Sequence, residues 1–318
     1  MILTIPIPGR LLVAQMATFG LAAALDAAGE EAFVGHDVSV DPRGVVHTPA
    51  SPERIAAVIR ETAATTEWAI ERDLPSSGTE RHQAKPAIWA RATSPERALE
   101  ALRERERVLD ELHDRPLAAA LVGALGTPAC WLGERPDRGA TGLDGVMGNA
   151  TSDFVRGVLR RVRAAGAQVQ AGDLAELVRR DSSPSDEEDR TGWAPSGTHV
   201  SALWQWLATL GLTLLPVGLC ATGPARTPCH NGRRRGDAVL TLPVLADPVS
   251  VPRLRAILQA PELRASQRSV RDDGRLRALG VGEVLRFTVE DLSTPQSVVF
   301  TFRPGEVVSL APEHAAAA

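Results

Sequence analysis

A helix with arginine on one face and aliphatic residues on another is the first candidate for chemistry in the sequence. Between Ser152 and Ala164, aliphatic residues recur at helical spacing and predict a buried stripe. They are Val155, Val158, Leu159 and Val162. The arginines are Arg156, Arg160 and Arg163 on a second face, with Arg161 beside them. We therefore predict an anchored arginine ridge that binds phosphate, the alternative being a solubilising helix face.

The residues that lead into this helix predict an anion site at its N-terminus. The chain enters through the small and polar residues of the segment Gly148–Ser152. A helix N-terminus leaves backbone N–H groups unpaired and carries a partial positive charge, so it attracts phosphate. Asn149, Thr151 and Ser152 are the residues expected nearest to that phosphate. A polar helix cap without a ligand is the alternative.

A second basic patch is predicted in a loop further along the chain. Arg233, Arg234 and Arg235 stand together between Gly232 and Gly236. Basic loops of this kind contact nucleic-acid backbones without reading the base sequence. By composition alone, a solvated loop with no ligand explains the patch equally well.

Cysteine and histidine residues near this loop raise the possibility of a metal site. Thiolate and imidazole groups suit zinc, and the candidates are Cys220, Cys229, His230 and His199. Their spacing matches none of the compact pairs that mark structural zinc sites. We therefore predict no bound metal and no cofactor, and keep a Cys/His enzyme as an alternative.

Other catalytic signatures are not found in the sequence. It lacks the Walker motif, the dinucleotide-binding glycine fingerprint, the paired-histidine zinc helix and the serine nucleophile elbow. The carboxylates concentrate in charge-alternating stretches such as Glu100–Asp114, which are typical of a solvated helix face. No catalytic residue is predicted.

Composition sets the broad class of the protein. The chain has 318 residues, 44% of them hydrophobic, which is enough for a sizeable core. The formal net charge is −4, so any nucleic-acid binding must come from local patches. The odd number of cysteines and the lack of a basic signal-peptide start predict a cytoplasmic protein. The apolar segment Leu203–Ala221 contains several polar residues and Pro216, so we predict a buried core helix rather than a membrane span.

The order of the predicted helices and strands along the chain indicates an α+β fold. It is rich in helix and has short strands or hairpins near both termini. A strand is expected at Ile2–Ile7, followed by a helix at Leu11–Ala28 that Gly29 ends. Val38–Val40 and Val45–His47 are expected to form a hairpin. Ser51–Arg54 predicts a helix start with serine as N-cap, and Ser94–Arg97 has the same pattern.

The second half of the chain adds a short helix after Val251 and a hairpin between Val284–Val289 and Ser297–Phe302. The segment 181–192 is acidic and rich in serine, so we predict it as a linker. The predicted regions are therefore residues 1–180, with the arginine helix, and residues 193–318, with the apolar helix and the C-terminal hairpin.

Four short stretches of the sequence resemble a known family. They are Gln15–Ala22, Gly142–Phe154, Trp206–Val217 and Leu276–Val284. In these stretches the chain is similar to Cascade subunits of the type I-U (also called I-G) CRISPR group, and in particular to a compact form of their large subunit. The matched stretches cover about a fifth of the chain.

The resemblance implies a non-catalytic subunit of an RNA-guided antiviral complex. Such a subunit helps to hold the guide RNA and recognises the short DNA motif beside the target, while base pairing supplies the sequence specificity. The implied partners are guide RNA, target DNA, other Cascade subunits and a separate helicase-nuclease, with no membrane. A structural adaptor without nucleic-acid contact is a further alternative.

Overall fold

The computed structural model describes residues 1–37, 40–71, 73–74, 85–86, 103, 106–107, 109–125, 158–174, 192–215, 218–220, 223–225, 229, 239–265, 273–294 and 300–310. The helices are α1 (Leu12–Ala27), α2 (Pro52–Glu71), α3 (Pro116–Leu125), α4 (Arg160–Gln168), α5 (Ala202–Gly211), α6 (Val251–Leu258), α7 (Pro261–Ala265) and α8 (Asp273–Ala278). The strands are β1 (Ile2–Thr4), β2 (Phe33–His36), β3 (Gly44–His47), β4 (Asp73–Leu74), β5 (Lys85–Pro86), β6 (Gly218–Cys220), β7 (Gly223–Ala225), β8 (Val239–Leu245), β9 (Val249–Ser250), β10 (Val281–Asp291), β11 (Phe300–Phe302) and β12 (Glu306–Ser309).

The strands form two main sheets. The first has the order β1-β3-β2-β9, and the second is built on the long strand β10, which pairs with β8, β11 and β12. Every strand pair that the structure describes is antiparallel. Helices separate from antiparallel sheets are the α+β arrangement, so the predicted fold class is confirmed.

The core forms around the crossing of α1 and α5. Both helices are rich in alanine and leucine, and every residue of α5 is buried. The backbones approach closely because glycines stand at the contact. A Cβ atom on Gly20 would overlap the carbonyl oxygen of Leu207, and one on Gly211 would overlap that of Met16. The absence of these two side chains therefore sets the distance between the helices.

The predicted N-terminal and C-terminal regions share this core. Helix α1 and sheet strands β1 to β3 come from the first region, whereas α5 and the sheet strand β9 come from the second. The buried residues of both regions belong to one hydrophobic cluster. Residues 181–191 of the predicted linker lie outside the described residues, so that boundary stays a prediction.

Most of the elements predicted near the termini are present. Helix α1 spans Leu12–Ala27 and is followed by Gly29 at φ 77°, as the predicted helix stop requires. The C-terminal hairpin is also present, since Val289 pairs with Phe302 across β10 and β11. The predicted Ser94–Arg97 helix start lies outside the described residues.

The N-terminal hairpin uses a different first strand from the one predicted. Strand β3 (Gly44–His47) agrees with the prediction, but its partner is Phe33–His36 rather than Val38–Val40. Val38 and Ser39 lie outside the described residues, and Val40 lies in a bend, 84% exposed. The prediction was wrong because Val34 packs in the core and His36 bonds to β8, contacts that local sequence does not reveal.

The apolar segment that follows Ser201 ends sooner than its composition suggested. Helix α5 has ten residues and continues as a single 3-10 turn at Leu212–Leu214. A bilayer span needs about 20 residues in a helix. Within the ranges given above, no helix combines the length and the apolar character that crossing a membrane would require.

The start of α2 gives a prediction for stability. The backbone N–H of Arg54 donates to Oγ of Ser51 at 3.3 Å, so Ser51 acts as the predicted N-cap. We expect Ser51→Ala to lower the free energy of unfolding by about 1 kcal/mol, measured by urea denaturation.

Ser201 is the matched control, because it precedes α5 but makes no capping hydrogen bond and its buried hydroxyl has no partner among the described residues. Ser201→Ala should therefore change stability much less than Ser51→Ala. Equal losses in the two variants would contradict the capping role.

Candidate nucleic-acid interface

The arginine helix α4 lies between α2 and α5. Leu159 and Val162 are fully buried, and Val158 packs against the core, as the aliphatic stripe predicted. On the same side, Gly166 contacts the indole of Trp206, where a larger residue would not fit. These contacts fix the helix, and they determine where its arginine side chains can reach.

Arg161 and Arg163 extend to opposite flanks of α4. Nη2 of Arg161 donates to Oε1 of Gln205 on α5 at 3.3 Å. Nη1 of Arg163 donates to the carbonyl oxygen of Ala63 on α2 at 3.4 Å. Arg160 also makes contacts within the folded chain, and all three arginine side chains are half-buried. Arg161 and Arg163 therefore lie on two flanks of the helix and do not form one outward ridge.

Gln205 explains how a polar residue is accommodated within the most apolar helix. Its side chain is fully buried, and its Nε2 donates to the carbonyl oxygen of Val200 at 2.6 Å. Its Oε1 accepts from Arg161. Both ends of the amide thus have partners, which removes the cost of burying it.

Arg60 of α2 joins this group of arginines, although its position in the sequence gave no sign of it. Its Nη1 donates to the carbonyl oxygen of Val169, just after the end of α4, at 2.6 Å. A cation near a helix C-terminus stabilises the unpaired carbonyls there. No sequence signal could have identified Arg60, because the end of α4 reaches it only through the packing of the two helices.

The hydrogen-bond acceptors just described share one electrostatic property. Arg60, Arg161 and Arg163 donate to carbonyl or amide oxygens, which are neutral. Such hydrogen bonds hold a guanidinium group in place without cancelling its charge. The α2–α4–α5 junction is therefore a place where neutral acceptors help to position positive charge.

The other predicted phosphate-binding residues lie outside the described residues. They are Asn149, Thr151, Ser152 and Arg156 before α4, and Arg233, Arg234 and Arg235 in the basic loop. Their roles remain predictions from the sequence.

The alternative Cys/His metal site is described only in part. Cys229 is buried, His199 is exposed, and Cys220 lies in β6. His230 is outside the described residues. Within the described ranges, no three histidine, cysteine or acidic side chains lie close enough together to hold a metal ion.

A buried histidine is the polar feature that sequence reasoning missed. The backbone N–H of Leu245 donates to Nδ1 of His36 at 3.0 Å, so the ring proton is on Nε2 and points to Oε1 of Gln15 at 2.8 Å. Nε2 of Gln15 in turn donates to the carbonyl oxygens of Gly9 and Pro42. These contacts join α1, the hairpin loop and the two sheets.

The electrostatic setting of His36 favours the neutral ring. Desolvation lowers its pKa from 6.5 to about 4. Because Nδ1 accepts a hydrogen bond, protonation there would also break the contact with Leu245. His36 is therefore a structural hydrogen-bonding group at neutral pH, with a testable effect on acid stability.

Comparison with known proteins assigns the chain to no family. No family model matches it, and no curated protein shows significant sequence similarity to it.

Proposed function

We propose that this protein is a non-catalytic, nucleic-acid-binding subunit of an RNA-guided complex of the type I CRISPR group. The proposed ligands are the guide RNA and the DNA duplex beside the target, contacted through their phosphates. Sequence specificity would come from base pairing, as in other RNA-guided complexes. Other Cascade subunits and a helicase-nuclease are the proposed protein partners.

The observation that carries the proposal is the placement of arginine charge by neutral partners. Arg161 and Arg163 of α4 and Arg60 of the neighbouring α2 donate to uncharged oxygens. A guanidinium group has five N–H donors in a planar arrangement that suits paired contacts with phosphate oxygens. The predicted loop arginines and the resemblance to Cascade subunits support the same function.

The loop arginines give the most direct test, because their three positive charges are adjacent in the sequence and one variant removes them together. In the triple variant Arg233→Ala, Arg234→Ala and Arg235→Ala, we expect RNA binding to weaken by about tenfold. The slope of log affinity against log salt concentration should also become shallower, by about 0.7 for each single-strand phosphate that the variant no longer neutralises. Fluorescence anisotropy with a labelled RNA of mixed sequence measures both quantities.

The control variant removes the same charge elsewhere. Arg103, Arg115 and Arg303 are exposed arginines in other parts of the chain. Changing these three to alanine should leave the affinity and the salt slope near those of the natural protein. If both triple variants behave alike, or if the natural protein binds neither RNA nor duplex DNA, the proposal is wrong, and a structural adaptor becomes the better description.

A further inference from the structure

A second arginine-rich segment lies in the C-terminal part of the chain. The segment 253–277 contains seven arginines and three acidic residues, in a chain whose net charge is negative. The arginines are Arg253, Arg255, Arg264, Arg268, Arg271, Arg275 and Arg277, and the acids are Glu262, Asp272 and Asp273. Helices α6 and α8 lie at the two ends of this segment.

Packing turns the arginines of both helices toward solvent. In α6, the apolar residues Val251, Leu254 and Ile257 are fully buried, and Arg253 and Arg255 are exposed. In α8, Leu276 is buried between Arg275 and Arg277, which are exposed. Every charged side chain of these two helices whose exposure the structure describes is therefore an exposed arginine.

Hydrogen bonds hold two of these arginines at the end of α8. Nη2 of Arg253 donates to the carbonyl oxygen of Leu279 at 3.2 Å, which connects α6 to α8. Nη2 of Arg277 donates to the carbonyl oxygen of Leu310 at 2.6 Å. Both acceptors are carbonyl oxygens, so these two hydrogen bonds orient the guanidinium groups.

The other two arginines differ in their surroundings. Arg275 forms an ion pair of 2.5 Å with Glu262, a carboxylate that is only 7% exposed, so this pair is structural. Arg255 is exposed, and no residue of the described ranges gives its side chain a hydrogen bond or an ion pair. The exposed arginines Arg253, Arg255 and Arg277 together form what we call the α6/α8 surface.

We propose that the α6/α8 surface is a second contact for the phosphodiester backbone of the bound nucleic acid. This inference rests on the proposed function and adds a surface to it. Arginine suits this role because its planar group offers paired donors to phosphate oxygens while one nitrogen stays bound to the protein. Contacts of this kind position the protein on its ligand and do not read the sequence.

An acidic residue lies near the α6/α8 surface, and removing its charge should strengthen the binding of nucleic acid instead of weakening it. Asp247 is exposed in the turn between β8 and β9. This turn lies against the end of α8, since the N–H of Ala246 donates to the carbonyl oxygen of Gly280 at 3.0 Å. A carboxylate here repels phosphate, so removing its charge should strengthen binding.

The experiment uses three variants. The first combines Arg253→Gln and Arg255→Gln, the second is the single change Asp247→Asn, and the control combines Arg103→Gln and Arg115→Gln. Labelled RNA and labelled duplex DNA of mixed sequence are the probes, measured by anisotropy over a range of salt concentrations. We expect the double variant to bind about fivefold to tenfold more weakly, with a salt slope shallower by about 0.7 to 0.9 for each phosphate no longer neutralised. Asp247→Asn should bind about twofold more tightly, and the control should match the natural protein.

The outcomes separate this inference from the proposed function. If the natural protein binds and the loop-arginine variant is weakened while the α6/α8 variants are unchanged, the surface does not bind nucleic acid and the proposed function stands. If the natural protein binds neither probe, both are wrong. Thermal unfolding checks that each variant is folded. Should Arg253→Gln unfold the protein, Arg255→Gln alone gives the decisive comparison, because no described contact depends on that side chain.

Discussion

Replacing Gly20 by alanine is expected to lower the free energy of unfolding by about 3 kcal/mol or more, the upper part of the range for overpacked cores. The added methyl group would overlap the carbonyl oxygen of Leu207. A side chain could turn away from such an overlap, but the backbone of α5 cannot move without separating the two central helices. Urea denaturation followed by circular dichroism measures the loss.

Gly172 provides the control for this prediction. It also lies in a helical turn, but a Cβ atom there would meet nothing within 4 Å among the described residues. Gly172→Ala should leave stability unchanged or raise it by about 0.5 kcal/mol, because alanine restricts the unfolded chain. If Gly20→Ala changed the free energy of unfolding as little as Gly172→Ala, α1 and α5 would not be packed as closely as described.

Acidification should destabilise the protein through His36. Its pKa is about 4 in the folded chain and 6.5 when exposed, so the unfolded chain binds the additional proton. The contribution of neutral His36 to the free energy of unfolding is fully present above pH 6.5 and is lost as the pH falls from 6.5 to 4. The loss from this group amounts to about 3 kcal/mol over that interval, at most about 1.4 kcal/mol per pH unit.

A variant without the buried histidine isolates this effect from the titration of carboxylates. His36→Gln keeps a polar side chain but cannot gain a proton. Its free energy of unfolding should be lower than that of the natural protein at pH 7, and the difference should shrink by about 3 kcal/mol at pH 4. His199→Gln, at an exposed histidine, should follow the natural protein at every pH. Parallel curves for the natural protein and His36→Gln would show that burial of this ring does not control acid stability.

Some of the fold could be predicted because the signals are local. The N-cap Ser51 and the helix stop at Gly29 act within one helical turn, and both are found where the sequence placed them. The aliphatic stripe of the arginine helix follows from helical periodicity, and Leu159 and Val162 are buried as expected. The C-terminal hairpin follows from alternating residues on either side of a short connection.

The candidate site was harder to predict, because an arginine side chain is long enough to reach partners on neighbouring helices that are distant in the sequence. Periodicity placed Arg160 and Arg163 on one face, but it could not show that Arg161 reaches Gln205 on α5 or that Arg60 of α2 meets the end of α4. The α6/α8 surface was missed for a related reason. Its arginines are spread over 25 residues, and only the packing of two helices brings Arg253 to Leu279.

The sequence alone determined the helices and hairpins whose start, end and buried face depend on residues close together in the chain. It also determined the high arginine content. The tertiary structure alone decided the pairing of β2 with β3, the burial of His36 and the partners of each arginine. These depend on residues that are far apart in the chain: Leu245, for example, is 209 positions from the histidine it contacts. Local propensity cannot specify such pairs, because the free energy that selects them comes from burying the whole core at once.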